Sequence, residues 1–198
     1  MPASQNVTKL AIRKQSLALR EQLLPGTRAA HGAAITERLL RLPEYRQADA
    51  VLGYMSFGAE FASEPWVRQV LAEGKRLALP RVNRHTNQLD LYWVDDLENQ
   101  LESGLWGIRE PVVERCERLN TLNEVEFALL PGVAFTRDGA RLGYGGGFYD
   151  KLLARMTHRP ALAAAAFSLQ IVEYIPQEAT DVKVGWIITE DEVINCSA

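Results

Sequence analysis

Short apolar runs alternate with longer amphipathic segments over most of the chain. An apolar residue every three or four positions, bounded by Pro or Gly, predicts α-helices at residues 5–24, 28–42, 64–72 and 148–156. Compact apolar runs predict buried strands at residues 50–56, 76–80, 89–94, 125–135, 161–167 and 184–189. Residues 104–124 have no clear period and are predicted to form an ordered loop, whereas residues 168–174 are predicted to form a short helix. This alternation indicates an α/β fold: a mostly parallel sheet covered by helices on both faces, in a three-layer, Rossmann-like arrangement.

The composition fits a globular protein and excludes several functional classes. With 47% hydrophobic and 24% charged residues the chain can bury one core, and we predict a single domain over residues 1–198. The net charge of -3 lacks the basic field of a general nucleic-acid binder. The longest apolar run, residues 161–167, is far shorter than the roughly 20 residues that span a bilayer. Cys116 and Cys196 are far apart and the sequence does not start with a signal-peptide pattern, so we predict a cytoplasmic protein with free thiols.

One segment, residues 129–153, carries most of the candidate chemistry. It passes from an apolar run through a turn at Asp138-Gly139 and a glycine-rich loop into a predicted helix. Two arginines, four glycines and one acid mark the segment: Arg137, Arg141, Gly143, Gly145, Gly146, Gly147 and Asp150. Unobstructed loop amides followed by a helix start favour the binding of an anion. The alternative is a flexible glycine turn between two core elements, which the neighbouring arginines and acid make less favoured.

The spacing of residues within this segment restricts the class of anionic ligand that the loop is expected to bind. A P-loop is absent, and the dinucleotide fingerprint would need a third glycine where Phe148 stands. Asp150 lies in the first turn of the exit helix, where it either complements the helix dipole or holds a divalent ion against a phosphate. Amides, arginines and an acid together favour a nucleoside triphosphate with Mg²⁺. The histidines do not have the spacing of a zinc or iron site.

The first predicted helix has a basic face of ambiguous function. Lys9 and Arg13 are four residues apart and therefore share one side of the helix. This spacing suits an anionic ligand, but it is more typical of a solvated basic face that also includes Lys14 and Arg20.

Two further residues are ambiguous from the sequence alone. Glu60 follows the first predicted strand, at the sheet edge where α/β proteins bind ligands, although a lone loop glutamate is usually solvated. Trp106 either stacks on a ligand or covers the core.

In this order and spacing, these residues resemble the signature of the 5-formyltetrahydrofolate cyclo-ligase (5,10-methenyltetrahydrofolate synthetase) family. The central match is Pro131-Gly132, Phe135, Gly139, Arg141-Leu142-Gly143, Gly145, Gly147 and Phe148-Tyr149-Asp150. Shorter matches extend over nearly the whole chain: Lys9 with Arg13, Met55 with Glu60, Leu79-Pro80-Arg81, and the segment Asp181-Val-Lys-Val.

The resemblance implies an ATP- and Mg²⁺-dependent ring closure that converts 5-formyltetrahydrofolate to 5,10-methenyltetrahydrofolate and releases ADP and phosphate. In this family the formyl oxygen attacks the γ-phosphate, which gives an N5-iminium phosphate, and N10 then closes the ring as phosphate leaves. The implied partners are 5-formyltetrahydrofolate and ATP, with neither nucleic acid nor membrane, and the expected state is a monomer.

The resemblance also implies the roles of individual residues. The catalytic residues are Arg13 and Arg141. The ATP-binding residues are Lys9, Arg13, Arg141, Leu142, Gly143, Tyr144, Gly145, Gly146, Gly147, Phe148 and Tyr149. The folate-binding residues are Met55, Glu60, Tyr144, Gly145, Gly146, Gly147 and Phe148. The Mg²⁺ ligands are Asp150 and Asp181.

Departures from the family pattern leave alternatives open. Family members often carry Asp where this chain has Thr136 and again where it has Gly185, and some carry a basic residue at the position of Tyr144 or Gly146. The phosphate charge is then expected to rest on the remaining cations, Lys9, Arg13, Arg137 and Arg141. One alternative is a folate- or nucleotide-binding paralogue without turnover. Another is a sugar-phosphate or CoA-handling enzyme on a related α/β fold.

Overall fold

The computed structural model describes residues 8–196, in which helices alternate with short strands. The helices are α1 (Lys9–Glu21), α2 (Pro25–Arg41), α3 (Pro43–Gln47), α4 (Glu64–Ala72), α5 (Leu97–Gln100) and α6 (Phe148–Ala154). The strands are β1 (Ala50–Leu52), β2 (Arg76–Asn83), β3 (Gln88–Val94), β4 (Leu101–Ser103), β5 (Arg109–Pro111), β6 (Glu117–Arg118), β7 (Phe127–Leu130), β8 (Ala134–Phe135), β9 (Arg141–Leu142), β10 (Ala161–Ala165), β11 (Trp186–Ile188) and β12 (Val193–Asn195).

The main sheet has the strand order β12-β11-β10-β7-β1-β2-β3-β6. The strands from β11 to β2 in this order run parallel, whereas β12, β3 and β6 pair antiparallel at the two edges. This arrangement confirms the predicted α/β fold with a mostly parallel sheet. Because the carboxyl ends of β1, β2 and β7 meet at one edge of the sheet, the loops that follow them can form a common site.

Helices cover both faces of the sheet. On one face, Ile35 of α2 and Trp66 of α4 belong to the same buried cluster as Val51 and Phe127 of the sheet. On the other face, Leu152 and Leu153 of α6 pack in a second cluster with sheet residues. Strands buried on both faces read as continuous apolar runs, which is why β7 is apolar at every position. Among the helices between residues 8 and 196, none is long and apolar enough to cross a membrane.

The first helix packs beside a small hairpin rather than against the main sheet. Ile12 of α1 shares a buried cluster with Ala134 of β8 and Leu142 of β9. The predicted start of this helix at residue 5 lies outside the described residues, and the helix that is described begins at Lys9. The Thr8 hydroxyl caps it by accepting a 3.2 Å hydrogen bond from the Ala11 amide. This packing brings the basic residues of α1 to the glycine loop.

The prediction of one continuous strand at residues 125–135 is wrong. Strand β7 ends at Leu130, and the chain then leaves the sheet to form β8, which pairs antiparallel with β9 in a separate hairpin. Pro131 cannot donate a hydrogen bond to a neighbouring strand. At Gly132 a Cβ atom would lie 2.4 Å from the Phe135 ring, so only glycine permits this close turn.

Short edge elements were also missed by the sequence pattern. Residues 104–124 contain β5, which pairs with β4, and β6, which forms one edge of the main sheet. Strand β12 forms the opposite edge, and the predicted helix at residues 168–174 is a 3-10 turn at Ser168–Gln170. Elements of two or three residues are too short to show a hydrophobic period.

Candidate functional site

A cavity of about 650 Å³ opens at the carboxyl ends of β1, β2 and β7, under the glycine loop. Its walls include a largely apolar group from the sheet and neighbouring loops: Tyr54, Met55, Phe57, Leu79, Pro80, Val82, Leu89, Trp106, Ile108 and Pro131. The polar and loop residues of the lining are Glu60, Asn87, Arg109, Glu110, Arg141, Gly143, Tyr144, Gly146, Gly147, Phe148, Tyr149 and Asp150. An apolar cavity with a few convergent polar groups is the usual form of a small-molecule site.

Most of the predicted site residues line this cavity. They are Met55, Glu60, Arg141, Gly143, Tyr144, Gly146, Gly147, Phe148, Tyr149 and Asp150. The others, Lys9, Arg13, Leu142, Gly145 and Asp181, are not part of the lining. Arg13 nevertheless contacts the glycine loop, because its Nε donates a 2.8 Å hydrogen bond to the Gly143 carbonyl oxygen.

The glycine loop adopts a backbone that side chains would disfavour. Gly145 has φ +110° and Gly147, the N-cap of α6, has φ +63°, so both lie in the left-handed region. A Cβ atom at Gly146 would lie 2.7 Å from the Phe148 ring. The loop therefore passes over the cavity with its amides unobstructed by side chains.

Arg141 and Asp150 form an ion pair at the cavity wall. The Arg141 side chain is 3% exposed; one Nη donates to Asp150 Oδ1 at 2.9 Å and the other to the Pro131 carbonyl oxygen at 3.2 Å. Asp150 Oδ1 also accepts a 3.2 Å hydrogen bond from the Val182 amide. Asp150 thus connects the start of α6 to the segment that contains Asp181. It makes these contacts in addition to any interaction with the helix dipole.

Lys9 and Asp181 form a second ion pair beside the glycine loop. Lys9 Nζ lies 2.8 Å from Asp181 Oδ2 and 2.9 Å from Glu178 Oε1. Burial by itself would lower the pKa of Lys9, but the hydrogen bonds to Asp181 and Glu178 outweigh it and raise the pKa. Burial by itself would raise the pKa of Asp181, whereas Lys9 and the Glu178 amide lower it overall. Both groups are therefore charged over a wide pH range.

The donor set of Asp150 and Asp181 fits Mg²⁺ in the presence of a phosphate ligand. The Val182 hydrogen bond to Asp150 brings the two acids into one neighbourhood. Mg²⁺ commonly uses one or two carboxylates and completes its shell with phosphate oxygens and water. Among residues 8–196 no group of three or more His, Cys, Asp or Glu side chains could hold a metal by itself.

Glu60 also lines the cavity, where it contacts Tyr144 of the glycine loop, and it is 6% exposed. Its Oε2 accepts a 3.0 Å hydrogen bond from the Phe57 amide, and its Oε1 accepts a 2.7 Å bond from the Tyr144 hydroxyl. Burial raises the pKa of Glu60, while the Tyr144 hydroxyl, the Phe57 amide and Arg20 act in the opposite direction. The predicted solvated state of a lone loop glutamate does not apply here.

The structure also corrects the predictions for two arginines, Arg20 and Arg137. Arg20, which the sequence placed on a solvated basic face, is 4% exposed and donates to the Tyr144 hydroxyl at 2.7 Å. Arg137 is instead exposed, pairs with Glu192 and does not line the cavity. Trp106 lines the cavity and is 66% exposed, so it does not cover the core. Exposure of an aromatic side chain cannot be read from its spacing in the sequence.

Thr136 and Gly185, where family members often carry Asp, lie outside the cavity lining, whereas Tyr144 and Gly146 are part of it. Thr136 is buried in the β8–β9 turn, where its hydroxyl donates to Asp138 and accepts a 3.1 Å hydrogen bond from the Ala140 amide. The Gly185 amide donates to the Leu162 carbonyl oxygen at 2.9 Å, at the entry to β11. Both residues therefore act in local turns and strand entry.

The fold and the cavity together define an α/β protein in which a basic glycine loop covers a ligand pocket at the carboxyl edge of the sheet. A family model described as the 5-formyltetrahydrofolate cyclo-ligase family matches residues 5–190. The chain belongs to this family, which confirms the resemblance seen in its sequence, and it is accordingly an enzyme of the ligase class.

Individual relatives agree with this assignment. The 5-formyltetrahydrofolate cyclo-ligase of Escherichia coli K12 is 29% identical over 175 residues, which cover 88% of this chain and 96% of that protein. The cyclo-ligase of Haemophilus influenzae is 31% identical over 150 residues, with coverage of 75% and 80%. The solution structure of the Aquifex aeolicus 5,10-methenyltetrahydrofolate synthetase is 34% identical, covers 96% of this chain and 93% of that chain, and superposes with a TM-score of 0.83. These matches indicate cyclo-ligase activity.

Proposed function

We propose that this protein uses ATP and Mg²⁺ to convert 5-formyltetrahydrofolate to 5,10-methenyltetrahydrofolate, with release of ADP and phosphate. The observation that carries the proposal is that the glycine loop, Arg141, Asp150 and Glu60 all face one cavity of about 650 Å³. A phosphate-binding side and a side suited to ring N–H groups are thus joined in one enclosed space.

The nucleotide side rests on an exchange of ionic partners. In the structure Lys9 is paired with Asp181 and Arg141 with Asp150. When a triphosphate binds, these two cations and Arg13 would contact its oxygens, and the amides of the loop from Gly143 to Gly147 would donate to the same anion. The released carboxylates of Asp150 and Asp181 would then hold Mg²⁺, which neutralises phosphate charge when bound.

The proposed folate side consists of Glu60, Met55 and Trp106, which line the same cavity. The Glu60 carboxylate is suited to accept hydrogen bonds from the N–H groups of the pterin ring, and Met55 supplies an apolar wall. The exposed Trp106 ring, at the cavity rim, is available to stack on the bound folate. The loop from Tyr144 to Phe148 would contact both substrates.

The proposed reaction transfers one oxygen from the formyl group to phosphate. The formyl oxygen attacks the γ-phosphorus, the bond to ADP breaks, and an N5-iminium phosphate forms. N10 then adds to the activated carbon, loses its proton, and the C–O bond breaks to release phosphate. A formyl oxygen is a poor leaving group until it is phosphorylated, and phosphoryl transfer depends mainly on alignment and charge neutralisation. Arg13 and Arg141 are proposed to supply this neutralisation.

The direct test is to incubate the purified protein with MgATP and 5-formyltetrahydrofolate and to follow the absorbance of methenyltetrahydrofolate. Product that depends on both ATP and Mg²⁺ is expected. Binding of both substrates without product would instead favour the paralogue without turnover. Thr136 and Gly185, the two departures that motivate this alternative, lie outside the cavity lining.

A further inference from the structure

The buried stripe of helix α1 ends in a charged residue. Its buried positions are Ile12, Ser16 and Arg20, spaced four residues apart on one face. Arginine is almost never this buried unless it is paired, and Arg20 is 4% exposed. Its Nη2 donates to the Tyr144 hydroxyl, whereas its buried Nε has no hydrogen-bond partner within the described chain. A buried, incompletely paired arginine costs stability, so its presence calls for a functional reason.

The hydrogen bonds from Arg20 define a direction for the protons. Arginine can only donate, so the Tyr144 oxygen must accept from Arg20 at 2.7 Å. The Tyr144 proton is then free to be donated to Glu60 Oε1, also at 2.7 Å. Glu60 Oε2 accepts from the Phe57 amide at 3.0 Å. Both oxygens of Glu60 therefore act as acceptors, which is the state of an ionised carboxylate.

The other groups coupled to Glu60 are neutral tyrosines. Burial raises the pKa of Tyr54, of Tyr144 and of Tyr149, so these hydroxyls keep their protons near neutral pH. Arg20 is the charged group that lowers the pKa of Glu60 against the effect of burial. Arg20, which lies outside the cavity lining, is thus one of the groups that favour the ionised form of Glu60, together with Tyr144 and the Phe57 amide.

We propose that Arg20 is a positioning residue for the folate side of the cavity: acting through the Tyr144 hydroxyl, it keeps Glu60 ionised and oriented to accept ring N–H groups. The inference rests on the proposed function for the identity of the ligand. Helix α1 then serves both halves of the site, with Arg13 at the loop backbone and Arg20 behind Glu60.

The first test needs no ligand and no turnover. The carboxyl carbon of Glu60 is titrated by NMR in the full-length protein, with its signal assigned by its loss in Glu60→Gln. In Arg20→Gln and Tyr144→Phe the titration midpoint should rise above that of the wild type. Tyr144→Phe guards against a folding defect, since the Tyr144 side chain lies at the surface and is 43% exposed. Lys14→Gln, which removes an exposed charge from the same helix, should leave the midpoint unchanged.

The second test separates the two substrates by equilibrium binding at pH 7. Arg20→Gln and Tyr144→Phe should weaken 5-formyltetrahydrofolate binding by about tenfold, as expected for a lost charged hydrogen bond. In Arg20→Gln, which leaves every residue of the glycine loop unchanged, ATP binding should change little. Arg20→Lys should recover part of the affinity because it restores the charge. A merely structural role would lower the melting temperature and weaken both ligands together.

The outcomes distinguish the inference from the proposed function. If the wild type binds 5-formyltetrahydrofolate but both variants keep the wild-type midpoint and affinity, the role assigned to Arg20 is wrong. If the wild type does not bind 5-formyltetrahydrofolate at all, the proposed function is wrong and the folate role of Arg20 fails with it.

Discussion

Arg141 is held by a carbonyl and a carboxylate at the cavity wall, so its removal should affect both activity and stability. We expect Arg141→Ala to lower kcat/KM by about 10²–10³-fold, the usual effect of losing one donor that stabilises a developing charge. The unfolding free energy should fall by about 1–3 kcal/mol, because Asp150 loses its charged partner. Steady-state kinetics and denaturant unfolding measure the two effects.

Arg137 provides a matched control on the same segment. It is exposed and pairs with Glu192 away from the cavity, so Arg137→Ala should leave kcat/KM within about twofold and stability within about 0.5 kcal/mol of the wild type. Unchanged turnover in Arg141→Ala would remove Arg141 from the catalytic site.

A substitution at Asp150 can distinguish a role in metal binding from a structural role. Asp150→Asn keeps the shape and an oxygen that can accept from Arg141 and Val182, but it removes the charge. We expect the Mg²⁺ concentration for half-maximal velocity to rise by about tenfold, whereas the KM for 5-formyltetrahydrofolate changes little. A wild-type response to Mg²⁺ would favour the interaction with the helix dipole instead.

At the residue scale, the sequence identified local patterns and missed partnerships over long distances. The glycine loop with Arg141 and Asp150 was recognised because these residues lie within one short segment. Arg20 was placed on a solvated face because its partner, Tyr144, is 124 residues away in the chain. Arg137 was predicted to bind phosphate because it is close to the glycine loop in sequence. Its pairing with the distant Glu192 was not predictable from this closeness.

At the scale of elements, the backbone of the glycine loop can be tested with a matched pair of glycines. Gly147, before α6, and Gly74, after α4, both have positive φ, at +63° and +75°, and a Cβ atom at either would meet no heavy atom within 4 Å. An alanine at each should therefore cost a similar backbone strain of about 1–2 kcal/mol. We expect only Gly147→Ala to raise the KM for ATP, by about tenfold, because only its amide belongs to the proposed phosphate loop. Equal ATP affinities in the two variants would argue against a phosphate on this loop.

The hairpin of β8 and β9 shows why element boundaries were harder to predict than element types. Residues 125–135 are apolar enough to be one strand, and the sequence was interpreted in that way. The break at Pro131-Gly132 depends on the packing of the Phe135 ring against Gly132, which is a tertiary contact. After this break β8 pairs with β9, the strand that carries Arg141 of the cavity lining.

At the scale of the whole molecule, the buried Glu60 predicts a particular dependence of stability on pH. Burial raises the folded-state pKa of Glu60 above its ordinary value of 4.5, although its hydrogen-bond donors and Arg20 oppose this. The folded state thus holds the proton more tightly than the unfolded chain, so the associated stability is present below pH 4.5 and is lost as pH rises through the folded value. The glutamine of Glu60→Gln does not ionise, so this variant loses no stability as pH rises from 4.5 to the folded-state pKa of Glu60. The unfolding free energy of Glu60→Gln minus that of the wild type should therefore increase over this pH interval and stay constant above it.

Denaturant unfolding over a series of pH values measures this difference. Glu114→Gln, a substitution at an exposed position, is the control and should follow the wild-type course. If the difference in unfolding free energy between Glu60→Gln and the wild type does not change with pH, then burial does not raise the pKa of Glu60.

The sheet was predictable from the sequence because each buried strand is a local apolar run, as in β7 and β10. The assembly of the site was not, because it joins distant parts of the chain. Lys9 and Asp181 are 172 residues apart, and Glu60 contacts Tyr144 across 84 residues. Only the resemblance to a known family predicted that these residues share one site, since no hydrophobic period encodes such contacts.

We propose that ATP bound in this cavity phosphorylates the formyl oxygen and that the folate ring closes as a result. The most direct measurement uses 5-formyltetrahydrofolate labelled with ¹⁸O in the formyl group, with MgATP, and analyses the released phosphate by mass spectrometry. The account predicts methenyltetrahydrofolate together with phosphate that carries one ¹⁸O atom per product formed. Unlabelled phosphate would contradict the phosphoryl-transfer route, and the absence of any product would contradict the proposed function itself.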